Sequence, residues 1–106
     1  MAWFYLVLAG LFEIGFTTSM RYLGWPLKMV PLFWFLVCSV LSFVLLIWAI
    51  KTIPLGTAYA VWTGIGAAGT TIVGIYFYGE PATTIRMLLL MLLIGSIIGL
   101  KLVNAE

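Results

Sequence analysis

The amino-acid sequence predicts an all-α integral membrane protein, a bundle of four helices that each cross a bilayer. Three observations carry this prediction. First, the 106 residues are 65% hydrophobic and only 8% charged, where soluble domains run roughly 45–50% apolar and about 25% charged. Second, Arg21, Lys28, Lys51, Arg86, Lys101, Glu13, Glu80 and Glu106 are the only charged side chains, and they leave long uncharged runs between them. Third, the breaks between runs are short and rich in Gly, Pro and Thr. The same figures exclude a disordered chain, which needs low hydrophobicity and high charge. The net charge of +2 comes from five isolated cations against three acids, and the cations form no basic stripe of the kind nucleic acids require.

A spanning helix takes about 20 mainly apolar residues. The first segment, residues 2–20, is apolar except for Glu13. It lacks the positive start and the cleavage site of a signal peptide and carries an acid in its middle, so it reads as a retained helix. The second span is the uncharged run 29–50. The third lies within 52–79. The fourth starts near Arg86 and runs past Lys101, a lysine close enough to the helix end to snorkel to the headgroups. The expected helices cover about 2–22, 30–50, 55–78 and 85–103 of a single domain, 1–106. Leu23-Gly24-Trp25-Pro26-Leu27-Lys28, Lys51-Thr52-Ile53-Pro54-Leu55-Gly56 and Gly79-Glu80-Pro81-Ala82-Thr83-Thr84 supply the turns, short enough that successive helices should be up-and-down neighbours. Cys38, the single cysteine, falls inside the second span and reads as a small apolar residue. With no histidine in the chain, a histidine relay and a histidine-based metal site are both excluded; no cofactor is expected. No nucleophile–base pair or phosphate loop stands out either, which argues against an enzyme.

With four spans, the termini and the second loop share one side and carry Lys51 and Lys101. The first and third loops share the other and carry Arg21, Lys28 and Arg86. Lys and Arg set orientation, and two against three is almost no bias. Either the small excess fixes one orientation, or the chain inserts both ways and permits an antiparallel homodimer of dual topology. Four helices with so few polar side chains can hardly enclose a polar pathway alone, so an oligomer is expected. Gly95-Ser96-Ile97-Ile98-Gly99 in the fourth helix has the small-xxx-small spacing that lets helices approach closely, which marks Gly95 and Gly99 as dimerisation candidates.

Glu13 is the costly residue. It stands ten residues after Trp3, an expected interfacial aromatic, or about 15 Å along a helix, near the bilayer midplane. An ionisable group there costs several kcal/mol and signals function. Gly10 and Thr17 share its helix face, at i−3 and i+4, and Phe16 adds an aromatic wall. Ser39 and Ser42 are hydroxyls in the otherwise apolar second span. Tyr59, Trp62, Thr63 and Gly66 fall on one stripe of the third helix, although Tyr59 and Trp62 also suit an interfacial belt. Carboxylate, hydroxyls and aromatic faces are together what a desolvated organic cation needs. The third helix holds six of the eleven glycines, and Gly64 with Gly66 marks a place where it could bend.

Gly10-Leu11-Phe12-Glu13, Ser42-Phe43 and the run Pro54-Leu55-Gly56-Thr57-Ala58-Tyr59-Ala60-Val61-Trp62-Thr63-Gly64-Ile65-Gly66 resemble the small multidrug resistance transporters over the full length of the chain. The resemblance implies four helices in an antiparallel homodimer in the bacterial inner membrane, exchanging protons for cations. It implies that Glu13 of each protomer forms a shared proton and substrate site, with Tyr59 and Trp62 as binding aromatics. Within the family the chain is most similar to the guanidinium exporters, whose distinguishing residues match Gly10, Ser42, Trp62 and Lys101. Lys101 serves as a branch marker, and Ser42 is expected to hydrogen-bond and orient the Glu13 carboxylate. Phe16 departs from the pattern, standing where those exporters have tryptophan and the multidrug branch has glycine. Phenylalanine keeps the ring and loses the indole N–H.

The expected function is proton-coupled export of guanidinium and small guanidinyl cations, protons and substrate competing for the paired Glu13 carboxyls. Three alternatives stand beside it: an exporter of bulky quaternary ammonium cations, one subunit of a heterodimeric pair, and a non-transporting membrane subunit.

Overall fold

Each uncharged run is a helix in the structure, a computed structural model that describes residues 1–104. The order is α1 (Ala2–Leu23), α2 (Met29–Ala49), α3 (Leu55–Tyr78) and α4 (Thr84–Asn104). All four are long and apolar enough to cross a membrane.

The ends follow local chemistry. α1 stops at Gly24, whose φ of 65° lies in the left-handed region that glycine enters without penalty. A cis Trp25–Pro26 bond follows. Pro31 falls in the first turn of α2, where a missing N–H leaves no intrahelical bond unmade. α3 starts directly after Pro54 and ends at Gly79, φ 68°; the N–H of Glu80 then turns back to the Gly74 carbonyl at 3.1 Å. Thr83 caps α4, its hydroxyl accepting the Arg86 N–H at 3.2 Å.

The helices do not pack in chain order. α1 lies between α2 and α3, which meet each other only narrowly, and α4 lies against the far side of α3. The expectation that successive helices are neighbours therefore fails for α2 and α3. The loop between them turns tightly, but the two diverge, and α1 fills the gap. The buried core sits at that loop's end, formed by Trp3, Leu6 and Ala9 of α1, Ala49 and Ile53, and Ala58, Val61 and Trp62 of α3. Trp3, expected at the membrane interface, is 8% exposed. Its ring is covered by Lys101 of α4, whose Nζ stands 5.6 Å from the ring centroid.

α3 runs as one continuous helix through Gly64 and Gly66. Their missing side chains make room. A Cβ on Gly64 would stand 2.8 Å from Ile97 of α4, and one on Gly66 would collide with the Glu13 carboxyl of α1.

Candidate functional site

Two helices hold the acid. Glu13 is half-buried in the middle of α1, and its Oε1 is buried with no hydrogen-bond partner among the described residues. The carboxyl lies against Gly66 of α3, in space that any larger residue would fill. Gly10, expected to give the acid room, does a different job: a Cβ there would stand 2.6 Å from Ile65 Cγ2. Gly10 thus sets the approach of α1 to α3, and Gly66 cradles the acid.

One turn before Glu13, a hydrogen-bonded junction ties three helices together. Ser42, fully buried, donates to the Ala9 carbonyl at 2.7 Å and accepts the Trp62 indole N–H at 2.9 Å. Its single proton is therefore committed to α1 backbone, and the expected bond from Ser42 to the Glu13 carboxylate is not made. What the serine orients is Trp62. One turn after Glu13, Thr17 donates to the carbonyls of Glu13 and Ile14 at 2.9 and 3.0 Å and meets the Thr70 hydroxyl at 2.6 Å.

The aromatic side chains form a continuous run across α1, α2 and α3. Phe16 meets Phe35 edge-on at 5.8 Å and stacks on Phe43 at 6.3 Å. Phe43 reaches Trp62 at 5.4 Å, and Trp62 reaches Tyr59 at 5.8 Å. Tyr59 is exposed, whereas Trp62 is buried. Such faces are negative at the ring and attract a cation within about 6 Å.

Other expected site residues make contacts of their own. Ser39 and Thr63 turn their hydroxyls back on the carbonyls of Phe35 and Tyr59, at 2.7 and 2.8 Å. Lys101 covers Trp3, ten residues before Glu13 on α1. Gly95 and Gly99 face open space, with nothing within 4 Å of a Cβ built on either. Sequence reasoning missed Phe35, Phe43 and Thr70, and it gave Gly66 no role toward the acid. The four-residue step from Trp62 through Gly66 to Thr70 was the available signal. Among the described residues, no group of three or more His, Cys, Asp or Glu could hold a metal ion.

The chain matches the sequence profile described as Small Multidrug Resistance protein over residues 1–93. The chain belongs to the small multidrug resistance family. Its relatives include the protein named Guanidinium exporter from Salmonella typhimurium strain LT2, 45% identical over 96% of this chain and 97% of that protein. Another of the same name, from Yersinia pseudotuberculosis serotype I, is 47% identical over 98% of this chain and all of the relative. A third, from Citrobacter freundii, is 43% identical over 96% and 97%. Membership in this family agrees with four helices long and apolar enough to span a membrane: the chain is a multi-pass membrane protein of a transport family, not of an enzyme family.

Proposed function

We propose that the protein is a proton-coupled antiporter that exports guanidinium and small guanidinyl cations across the bacterial inner membrane, working as an antiparallel homodimer with Glu13 of both protomers at a shared site. The observation that carries this reading is the mid-helix Glu13 carboxyl, whose buried oxygen has no partner among the described residues and whose space is kept by Gly66. An ionisable group at such depth persists where it has a task. Guanidinium is planar, permanently charged and edged with N–H donors that match carboxylate oxygens in pairs. The rings of Trp62, Tyr59, Phe43 and Phe16 offer faces to the same cation. The relatives named Guanidinium exporter favour this substrate.

The mechanism follows from competition. Glu13 takes either a proton or the cation, so each displaces the other. In an antiparallel pair the two chains can exchange conformations, each exchange turning the site to the opposite membrane face. Obligate exchange requires that the empty, deprotonated site cross slowly.

Phe16 favours a second reading. Phenylalanine there leaves a ring without a hydrogen-bond donor, a surface suited to bulky hydrophobic cations. Proton-coupled current from purified protein in liposomes separates the two readings, with guanidinium compared against tetrapropylammonium. Current with guanidinium alone is expected, with an apparent affinity that falls as the medium is acidified. Current with tetrapropylammonium alone would replace this reading with the second. Glu13→Gln should abolish coupled transport, and proton-driven uptake by that variant would overturn the mechanism.

A further inference from the structure

Most hydroxyls in these helices turn back on their own backbone. Ser19, Ser39, Thr63, Thr71 and Ser96 each donate to the carbonyl four residues earlier, at 2.7 to 3.0 Å. Ser42 and Thr70 do otherwise, and both bond across to α1. Their contacts fall at Ala9 and Thr17, four residues before and four residues after Glu13. The two cross-helix hydroxyls thus bracket the acid, one helical turn to either side.

At the second bracket, the Thr17 proton lies toward the helix carbonyls of Glu13 and Ile14. Thr70 is then the donor to Thr17 Oγ1, and the chain of bonds ends on the carbonyl of Glu13 itself. Beyond the pair a crevice of about 100 Å³ opens between α1 and α3, bordered by Thr17, Thr70, Arg21, Tyr78 and Glu80 among others. The Arg21 guanidinium lies 3.9 Å above the Tyr78 ring, and Glu80 is held by Arg86 at 2.7 Å. The facing stripes keep one register at the acid and one turn beyond it, Glu13 on Gly66 and Thr17 on Thr70; the next contact, Arg21 on Tyr78, lies a further turn along α3.

We propose that Thr70 is a positioning residue for the Glu13 carboxyl and closes the site toward this crevice, its hydroxyl fixing, through Thr17, the register of α1 on α3 that lays the carboxyl over Gly66. In a bilayer, helices associate through close packing and interhelical hydrogen bonds together. Gly66 and Gly69 seat the Glu13 carboxyl and Ile14, and the hydroxyl pair adds the directional bond between α1 and α3 at this level. The proposal rests on the reading of Glu13 as the cation site.

The test uses full-length protein in liposomes, with guanidinium as the transported probe. Thr70→Val should raise the KM about five-fold, the scale of one hydrogen bond, and leave the maximal rate within about two-fold. Thr70→Ser should restore the KM. Thr17→Val should match Thr70→Val, and the double variant should be no worse than either, since both remove one bond. The Glu13 ¹³Cδ signal in detergent, at fixed pH, should move in Thr70→Val and return in Thr70→Ser. An unmoved signal together with a wild-type KM in Thr70→Val would overturn the proposal, as would effects that multiply in the double variant. Should Thr70→Val fail to fold, Thr17→Val decides alone, and wild-type behaviour there is fatal. Wild-type protein that carries no guanidinium would overturn the functional reading instead, and the Glu13 signal would still decide this one.

Discussion

Under the proposed function, Gly66 and Glu13 make the binding site depend on a residue that contributes no side chain. The carboxyl occupies space that a Cβ on Gly66 would fill, so adding one methyl group must push the acid aside while disturbing little else in α3. Gly66→Ala is expected to leave a folded protein whose guanidinium transport falls about ten-fold or more, the scale of a lost hydrogen bond to a charged group. Transport assays paired with size-exclusion profiles would check it, and wild-type transport would show that the carboxyl works from another position. At this scale the sequence was legible wherever cost was visible. An acid in an apolar helix declares itself, and so do hydroxyls and rings at helical spacing. The role of Ser42 was not legible, because its one proton could serve Glu13 or a backbone carbonyl, and the choice depends on how closely α2 approaches Ala9. Gly66 was hidden for a similar reason: an empty position acquires meaning only from the helix that faces it.

The helices themselves were readable because the charges punctuate the hydropathy, and Gly24, Pro54, Gly79 and Thr83 mark ends that backbone geometry enforces. Their order in space was not, since short loops constrain where a helix starts but not which face it buries. That choice was made by small residues. Gly10 admits Ile65, Gly69 admits Ile14, and Gly15 admits the Cys38 sulfur, so α1 is drawn between α2 and α3. The contact of Ile14 with Gly69 can be tested as a pair. Gly69→Ala should overpack the interface at about 1–3 kcal/mol, and Ile14→Ala should leave a cavity at about 2–5 kcal/mol. Together they should cost less than the sum, because the new methyl enters the vacated space. Unfolding of the purified protein in mixed detergent would measure all three, and strict additivity would mean that the helices separate there without the contact.

As a whole the molecule is flattened, 44 × 35 × 17 Å. Its four helices leave Glu13 half-exposed. The outer faces of α2 and α4 are apolar, with Phe33, Val40, Leu88 and Leu92 exposed, and Gly95 and Gly99 stand open for a close approach. In the antiparallel pair proposed above, a second copy completes the site, and the near balance of Lys and Arg across the membrane allows that copy to be inverted. The expected consequence is that single cysteines placed in Cys38→Ser protein, at Leu27 on one loop or Thr52 on another, are each labelled from outside in about half of the molecules. Charge should then set orientation. Trp25→Arg makes the count two against four, and Lys28→Ser combined with Ile50→Arg and Thr52→Arg makes it four against two, all at exposed positions; each variant alone should become one-sided and lose transport. Expressed together, the two should recover it, because oppositely oriented chains can again pair. Full transport by either one-sided variant alone would mean that parallel chains, or a single chain, complete the site, and the antiparallel pair would have to be given up.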